Sequence, residues 1–236
     1  MISIQDQQNL LIQIANKIEK EMTVYAIGGT AMMFLGFKEA TQDVDLVFAN
    51  NEDRKEFKNV ALSLGYKEMN PTIVYGVKNN CPQMIKLGDA RLDLFSLDVI
   101  DFKFSQSMQE RSKQVHQFGD KLFLRVADVH DIILMKCATR RVKDENDIIN
   151  ILNNSKIDLN ILVQEAKNQL NLGKECAVVD IGNLLEKLKN KHKIDIPASI
   201  LDDIWSLVQQ QIKEKGQKEK EEKLKRLCVL ILPRTL

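Results

Sequence analysis

The sequence has 236 residues, of which 44% are hydrophobic and 28% are charged. This length fits one large domain or two small ones, and the hydrophobic content supports a buried core that needs neither disulfides nor structural metal. The charges nearly cancel, to a net +1 at pH 7. This excludes the global basic field that drives non-specific binding to nucleic acid, so any nucleic-acid contact must be local.

The cysteines and the N-terminus both indicate a reducing compartment. The cysteines form no CxxC motif or Cys/His cluster, which argues against structural zinc and against a disulfide framework; they are Cys81, Cys137, Cys176 and Cys228. We expect them to be reduced and mostly buried. The N-terminus is amphipathic and carries acidic residues, unlike a signal peptide, and no apolar run is long enough to span a membrane. The sequence therefore predicts a cytoplasmic protein.

The first predicted elements are a helix, a strand and a short second helix. Apolar residues recur at helical spacing over residues 4–18, and a strand follows over residues 23–27. Gly28 and Gly29 interrupt this strand and lead into AMMFLG, a short helix that Gly36 ends. The result is a strand, a tight glycine turn and a helix.

The glycine turn is suited to a phosphate contact. Because Gly28 and Gly29 lack Cβ atoms, we expect the backbone N–H groups of the turn and of the following helix N-terminus to approach phosphate oxygens closely. Thr30 can add a hydroxyl donor. A Gly-Gly turn is common on its own, so the next strand decides its meaning.

The next strand, residues 43–48, carries an acidic pair that is suited to a metal ion. Asp43 and Asp45 stand two apart, so both side chains point to one face of the strand, with α-carbons about 6.5 Å apart. Two carboxylates this close repel one another, and a hard divalent ion with oxygen ligands relieves the repulsion. The pair therefore predicts a Mg²⁺ site, at which Mn²⁺ can substitute.

A predicted hairpin supplies a third acid. After a helix over residues 51–64, two apolar runs, 84–87 and 92–97, flank the turn-forming sequence GDA. This hairpin places Asp93 on a strand, where it completes a site for two metal ions. Asp98 or Asp101 is an alternative third ligand, and an ion pair with Arg91 is an alternative role for Asp93. In such a site, two ions about 4 Å apart activate the attacking hydroxyl and neutralise the leaving pyrophosphate.

Beyond these hairpin strands the sequence becomes mainly helical. A second hairpin is predicted around Gly119, ending in LFLRV, and the composition shifts near Ala127. We expect an α+β fold, in which residues 1–126 form a catalytic core around a small mixed β-sheet. Residues 127–236 would be mainly α-helical, and the family resemblance given in the next paragraph implies that 127–150 contribute to the nucleotide cleft. The predicted helices cover residues 131–139, 147–152, 159–170, 177–188 and 200–212, and the KEKGQKEKEEKLKR run that follows is typical of a solvated helix face.

The order of these motifs resembles the polymerase-β-like nucleotidyltransferase superfamily. Gly28-Gly29 at a strand end, thirteen further residues and then DVDL are similar to its signature, an hG[GS] turn followed by Dh[DE]h. The similarity is strongest to AbiEii-type and related minimal nucleotidyltransferases, which include toxins of toxin–antitoxin systems. It lies in the segment GGTAMMFLGFKEATQDVDLVF. Two further segments of this sequence show the resemblance. The family's strand with the third acid is matched by RLDLF, and a downstream family segment is matched by DVHDIILMKCATRRVKDENDI.

The resemblance implies roles for residues in that downstream segment. It places near the nucleotide Lys136, Lys143, Asp144 and Asp147, with Lys136 as the main triphosphate or base contact. On one continuous helix, Lys136, Arg140, Lys143 and Asp147 would also form an ordinary polar stripe. If the helix breaks between them, Asp144 and Asp147 instead suit the start of a new helix.

The sequence therefore predicts an enzyme, a Mg²⁺-dependent nucleotidyltransferase that transfers a nucleoside monophosphate to a hydroxyl and releases pyrophosphate. Asp43, Asp45 and Asp93 would be catalytic and would bind the metal ions. The nucleoside triphosphate would be bound by Gly28, Gly29, Thr30, Lys136, Lys143 and Asp144.

The acceptor has several candidates. Basic residues between positions 136 and 143 favour tRNA or protein, as in a toxin. An acidic cleft for a cationic small molecule could instead be lined by Asp98, Asp101, Asp128 and Asp131. The alternative from another class is a degenerate nucleotide-binding module that acts as an antitoxin or sensor. A second copy of the chain or a cognate antitoxin could dock on the C-terminal helices and the LCVLILP tail.

Overall fold

The computed structural model of the chain describes residues 1–139 and 141–231, with side chains described as far as residue 217. The strands are β1 (Ile2–Ser3), β2 (Met22–Ala26), β3 (Ala40–Thr41), β4 (Asp43–Phe48), β5 (Lys67–Met69), β6 (Gln83–Leu87), β7 (Ala90–Phe95), β8 (Asp98–Val99), β9 (Phe102–Lys103), β10 (Val115–Phe118) and β11 (Leu122–Val126). The helices are α1 (Ile4–Ala15), α2 (Gly28–Phe34), α3 (Asn51–Ser63), α4 (Thr72–Tyr75), α5 (Gln106–Arg111), α6 (Val129–Cys137), α7 (Val142–Asn154), α8 (Leu159–Asn171), α9 (Glu175–His192) and α10 (Ala198–Ile231).

A seven-stranded mixed sheet is the centre of the fold. Its strand order is β10-β11-β2-β4-β7-β6-β5. The pairs β11–β2 and β4–β7 are parallel, and the other neighbours are antiparallel. Val44 and Leu46 of β4 are fully buried, as are Leu92 and Leu94 of β7. Because β4 and β7 each have a strand on both sides, their backbones are fixed by two ladders of hydrogen bonds.

The predicted α+β class and several predicted elements are confirmed. β4 has the predicted bounds, and the β6–β7 hairpin turns at Gly88, which has a φ of +57°. The first helix begins at Ile4, where Ser3 and Asp6 form a capping box. The last helix runs well beyond the predicted end at residue 212, because α10 continues to Ile231.

The helical stripe expected from residue 136 to residue 147 does not form as one surface, because the chain leaves the helix between α6 and α7. α6 ends at Cys137 and α7 begins at Val142. Asp144 lies in the first turn of α7, which agrees with the alternative that a new helix starts here. Arg140, a member of the expected stripe, lies outside the described residues.

The cysteines follow the expectation only in part. Cys81, Cys137 and Cys176 are free thiols, but only Cys137 of these three is buried. Cys176 lies in the first turn of α9 and faces solvent. Cys228 and the LCVLILP tail fall beyond the described side chains. Within the described ranges, no helix combines the length and the hydropathy needed to span a bilayer.

Candidate active site

Three aspartates converge where β4 and β7 lie side by side. The parallel register pairs Asp45 directly with Asp93 and Asp43 with Arg91. One oxygen from each of the three carboxylates, those of Asp43, Asp45 and Asp93, lies within 4.8 Å of the other two. Carboxylate oxygens are the donors that Mg²⁺ and Mn²⁺ prefer in proteins. The donor set therefore fits a divalent cation, and the acid that joins Asp43 and Asp45 in this cluster is Asp93.

Without a cation this cluster is electrostatically unfavourable. Burial and the neighbouring Asp93 carboxylate raise the pKa of Asp45 to about 7. Burial also raises the pKa of Asp93, although hydrogen bonds from Tyr75 and Arg91 oppose that shift. Both shifts show that the charged form of these carboxyl groups is disfavoured, and a bound metal ion would favour the charged form instead.

Arg91 bridges two of the three acids. Its Nε donates to Oδ1 of Asp93 at 3.0 Å and its Nη2 donates to Oδ2 of Asp93 at 3.1 Å. The same Nη2 also bonds Asp43. The ion pair considered as an alternative role for Asp93 is therefore present, and it coexists with the acidic cluster. Arg91 supplies positive charge where the carboxylates would otherwise repel one another.

Tyr75 contacts Asp93 from the other direction. Its hydroxyl donates to Oδ2 of Asp93 at 2.6 Å, and its ring makes an edge contact with Phe95, with 6.2 Å between ring centroids. Burial, followed by the charges of Asp45 and Asp93, raises the pKa of Tyr75. The hydroxyl is therefore a neutral donor at physiological pH.

Gly28 and Gly29 begin α2 directly beside the acids. Gly28 has a φ of +55°, and a Cβ on it would lie 2.7 Å from Oδ2 of Asp45. A Cβ on Gly29 would lie 2.6 Å from Oγ1 of Thr41. The N-cap residue, Ile27, makes no side-chain cap, so it satisfies none of the free N–H groups at the start of the helix. Close packing against Asp45 thus requires Gly28, and close packing against Thr41 requires Gly29.

Thr30 lies in a different place from the one the sequence suggested. Its side chain is fully buried, and its Oγ1 accepts a hydrogen bond from the backbone N–H of Asp45 at 2.9 Å. The hydroxyl therefore faces β4 and not the cavity in which a triphosphate would lie. This hydrogen bond ties the start of α2 to the strand that carries Asp45.

A cavity of about 230 Å³ opens in front of the acids. Asp43, Asp45, Gly28 and Gly29 line it, whereas the fully buried Asp93 lies behind Tyr75. Basic residues also line it, namely Lys38, Lys78, Lys136, Arg141 and Lys143, together with the apolar residues Val74, Phe95, Val99, Ile100, Phe102 and Met135. The cavity therefore offers acidic, basic and apolar surface within a small volume.

Lys136 is already engaged by carboxylates. Only 5% of the residue is exposed, and its Nζ lies 2.8 Å from Asp144 and 2.6 Å from Asp147. Asp147 also pairs with Lys38 at 3.2 Å, and Asp144 pairs with Arg141 at 2.6 Å. The predicted position beside the cavity is observed, but the geometry makes Lys136 and Asp144 an ion pair that joins α6 to α7.

Lys143 remains the predicted phosphate contact that the geometry leaves available. It is exposed and lines the cavity. Partial loss of solvent around the ammonium group, followed by the nearby charge of Arg141, lowers its pKa, so part of the shift reflects neighbouring positive charge. An anion bound in the cavity would relieve this repulsion.

The acidic cleft considered for a cationic acceptor is not formed. Asp101 lines the cavity, but the other three acids have partners of their own. Asp98 pairs with Lys103 at 3.0 Å and with Lys174 at 2.9 Å. Asp128 bonds His130 at 2.5 Å, and Asp131 bonds Arg111 at 2.6 Å.

Sequence reasoning missed Tyr75, Thr41 and Lys38. Tyr75 lies on the four-residue helix α4, whose TIVY sequence is rich in β-branched residues and gives no helical pattern. Thr41 lies on a strand of two residues, and Lys38 meets Asp147 across 109 positions. Contacts of this range have no local signal, although the position of Thr41 two residues before the DVD motif is a usable clue.

Comparison with known proteins identifies the family. Residues 1–193 match the family model described as nucleotidyltransferase of unknown function (DUF6036). No match was found among curated proteins. Among solved structures, the chain is similar to the crystal structure of ANT(2")-Ia in complex with adenylyl-2"-tobramycin, at 17% sequence identity and a TM-score of 0.43, with 77% of this chain and 98% of that chain covered. A likeness this low carries no argument about the substrate, and the AbiEii-type assignment stays a prediction. The family model matches most of this chain, so the chain belongs to this family of nucleotidyltransferases.

Proposed function

We propose that the protein transfers a nucleoside monophosphate from a nucleoside triphosphate to a hydroxyl group, in a reaction that depends on Mg²⁺ or Mn²⁺. The observation that carries this proposal is the cluster of Asp43, Asp45 and Asp93 on adjacent strands, beside a glycine turn. Three carboxylates in this arrangement suit two metal ions, which support in-line displacement at phosphorus. Membership of a nucleotidyltransferase family supports the same class of reaction.

Each acid has a distinct proposed role. Asp43 and Asp45 line the cavity and would hold the divalent ions. The ions, when bound, supply positive charge for the leaving pyrophosphate and make the acceptor hydroxyl more acidic. Asp93 would complete the set of metal ligands and would also take the proton of the acceptor hydroxyl, since it lies deepest and already accepts a hydrogen bond from a hydroxyl.

The triphosphate would be bound between α2 and α7. The backbone N–H groups that open α2 at Gly28 and Gly29 are donors without acceptors inside the helix, and they lie next to Asp45. Lys143 would provide a cationic contact from the other side. Lys136 and Asp144 would support this wall of the cavity, and Thr30 would fix Asp45 in place.

We favour a hydroxyl of RNA or protein as the external acceptor. The AbiEii-type resemblance suggests tRNA or protein, in a toxin-like reaction. The acids that could have formed a cleft for a cationic small molecule are largely paired with basic residues. An acceptor with little positive charge is therefore the better electrostatic match.

The proposal is tested by label transfer from each of the four α-³²P nucleoside triphosphates, with Mg²⁺ or Mn²⁺. The acceptors are total tRNA, cell protein and an aminoglycoside, each with the wild type and with Asp45→Asn. Label that requires both the metal and Asp45 supports the proposal and identifies the nucleotide and the acceptor class. If the protein binds Mg²⁺-nucleotide but labels no acceptor and releases no pyrophosphate, the alternative of a nucleotide-binding module replaces this proposal.

A further inference from the structure

Asp93, the proposed base, already accepts a hydrogen bond from a hydroxyl of the protein itself, that of Tyr75. Tyr75 Oη lies 2.6 Å from Oδ2 of Asp93, which is the contact expected of an acceptor hydroxyl about to lose its proton. Tyr75 also lines the same cavity as Gly28, Gly29 and Lys143. Its hydroxyl is thus held between the proposed base and the proposed triphosphate site.

The surroundings of Asp93 leave no room for another acceptor in this state. The residue is 0% exposed, with Tyr75 on one side and Arg91 on the other. A second substrate could therefore reach Asp93 only if Tyr75 moved away.

The segment that carries Tyr75 is built to present it. Residues 70–82 connect β5 to β6, and within them Ile73 is 71% exposed and Val77 is 100% exposed. Gly76 follows Tyr75 with a φ of +67°, a left-handed conformation that lets the chain turn sharply back. Tyr75 therefore projects inward from an otherwise exposed connection and is anchored by Asp93 and the Phe95 ring.

Building on the proposed function, we infer that Tyr75 is a nucleotidylylation site and that the enzyme modifies this residue in its own chain. Oη of Tyr75 attacks the α-phosphorus of the bound nucleoside triphosphate, and its proton passes to the Asp93 carboxylate and then to water. The bond between the α-phosphorus and the bridging oxygen breaks, and pyrophosphate leaves. The product is a phosphodiester between the tyrosine and the nucleoside monophosphate.

This modification limits itself to one event per chain. The modified tyrosine no longer has a hydroxyl to donate to Asp93, and the attached nucleotide occupies the cavity. The modified enzyme is therefore blocked toward a further nucleotide until the diester is removed or the 70–82 segment swings out.

The test is label incorporation into the full-length protein with no acceptor added. The wild type is incubated with each α-³²P nucleoside triphosphate and Mg²⁺ or Mn²⁺, and the label is located by intact mass and peptide mapping. Tyr75→Phe removes the hydroxyl and keeps the ring against Phe95. Tyr66→Phe is the matched control, because Tyr66 is a buried tyrosine outside the cavity. Asp45→Asn tests the requirement for the acidic cluster.

We expect label on Tyr75 that approaches one nucleotide per chain, that is lost in Tyr75→Phe and Asp45→Asn, and that persists in Tyr66→Phe. Label on another residue, or label retained by Tyr75→Phe, overturns the inference. So does transfer from the wild type to Tyr75 of added Asp45→Asn protein, because the geometry requires reaction within one chain. A further outcome separates the two proposals. If the wild type and Tyr75→Phe both label tRNA or protein while the wild type itself carries no label, self-modification is ruled out and the proposed function stands.

Discussion

At the scale of single residues, Thr30 links the glycine turn to the acidic strand. Its hydroxyl accepts the backbone N–H of Asp45, so Thr30→Val leaves that N–H without its partner, at a cost of about 1–3 kcal/mol in the free energy of unfolding. We expect kcat to fall and the KM for nucleotide to change little, because Asp45 shifts while the phosphate contacts remain. Urea denaturation and the transfer assay measure both effects.

Thr30→Ser is the control for this substitution, since it keeps the hydroxyl. It should restore most of the stability and the activity. A rise in nucleotide KM without a loss of stability in Thr30→Val would instead return Thr30 to the triphosphate contact that the sequence suggested.

The two glycines of the turn should respond differently to alanine. At Gly29 the added Cβ meets Oγ1 of Thr41 at 2.6 Å, whereas at Gly28 it meets Asp45 and the φ is +55°. Gly29→Ala should therefore lower the free energy of unfolding by about 1–3 kcal/mol, and Thr41→Ala should restore part of this loss. Thr41→Ala should restore nothing in Gly28→Ala, because that Cβ meets Asp45 instead. A double-mutant cycle on the free energy of unfolding measures the coupling, and simple additivity of Gly29→Ala and Thr41→Ala would contradict the contact.

At the scale of elements, the corner between α6 and α7 depends on a buried ion pair. Lys136 bonds both Asp144 and Asp147, so Lys136→Met leaves carboxylates without a buried cation. Because Asp144 keeps Thr139 and Arg141 as partners, we expect a loss near the lower end of the range for broken buried pairs, about 3 kcal/mol. Denaturation of Lys136→Met and of Lys136→Met/Asp144→Asn should show the double variant to be the less destabilised. Full stability with weaker nucleotide binding would indicate a phosphate contact.

The crossing of α9 and α10 is a second test at this scale. A Cβ on Gly182 would lie 2.9 Å from Cζ2 of Trp205, so Gly182→Ala should push the helices apart and cost about 1–3 kcal/mol. Trp205 is the only tryptophan in the sequence, and its Nε1 donates to Glu186 at 2.7 Å. Its fluorescence should therefore report the shift, and Trp205→Phe should relieve part of the cost. An unchanged emission spectrum would argue against this contact.

The sequence predicted the elements that have a clear period and missed those that depend on distant contacts. Alternation in DVDLVF predicted β4, and glycine turns predicted both hairpins. The α6–α7 corner was only one of two alternatives, because the pattern of Lys136 to Asp147 fits a continuous helix equally well. Spacing and order predicted that Asp43, Asp45 and Asp93 lie together, and the structure shows this cluster. The inward placement of Tyr75 depends on a hydrogen bond to Asp93, which no local pattern encodes.

At the scale of the whole molecule, we expect the acidic cluster to lower the stability of the metal-free protein. The pKa of Asp45 is raised from 3.8 to about 7, so the folded state holds a proton that the unfolded state releases between these values. The stability from this proton is fully present below pH 3.8 and is lost as the pH rises through about 7. In EDTA, Asp45→Asn should therefore be more stable than the wild type at pH 8, by about 1–2 kcal/mol in the free energy of unfolding. This difference is smaller than the full pKa shift would give, because the Asp45 carboxylate contacts water in the cavity.

Urea denaturation of both proteins from pH 4 to pH 8 tests this expectation. The advantage of Asp45→Asn should grow with pH and level off above about 7. Added Mn²⁺ should stabilise the wild type and not the variant, because an ion that binds only the folded state raises its stability. Equal stability of the two proteins at pH 8 would show that the cluster costs nothing.

The parallel pairing of β4 with β7 also sets when the site can form. Asp43 and Arg91 are register partners 48 positions apart, and everything from α3 to β6 lies between the two strands. Pairing two parallel strands across so long a loop is slow compared with forming helices. The helices can therefore appear in a refolding chain before any carboxylate meets its partners, and cation binding becomes a late signal of folding. During synthesis, a growing chain would complete the proposed metal site only after β7 has left the ribosome.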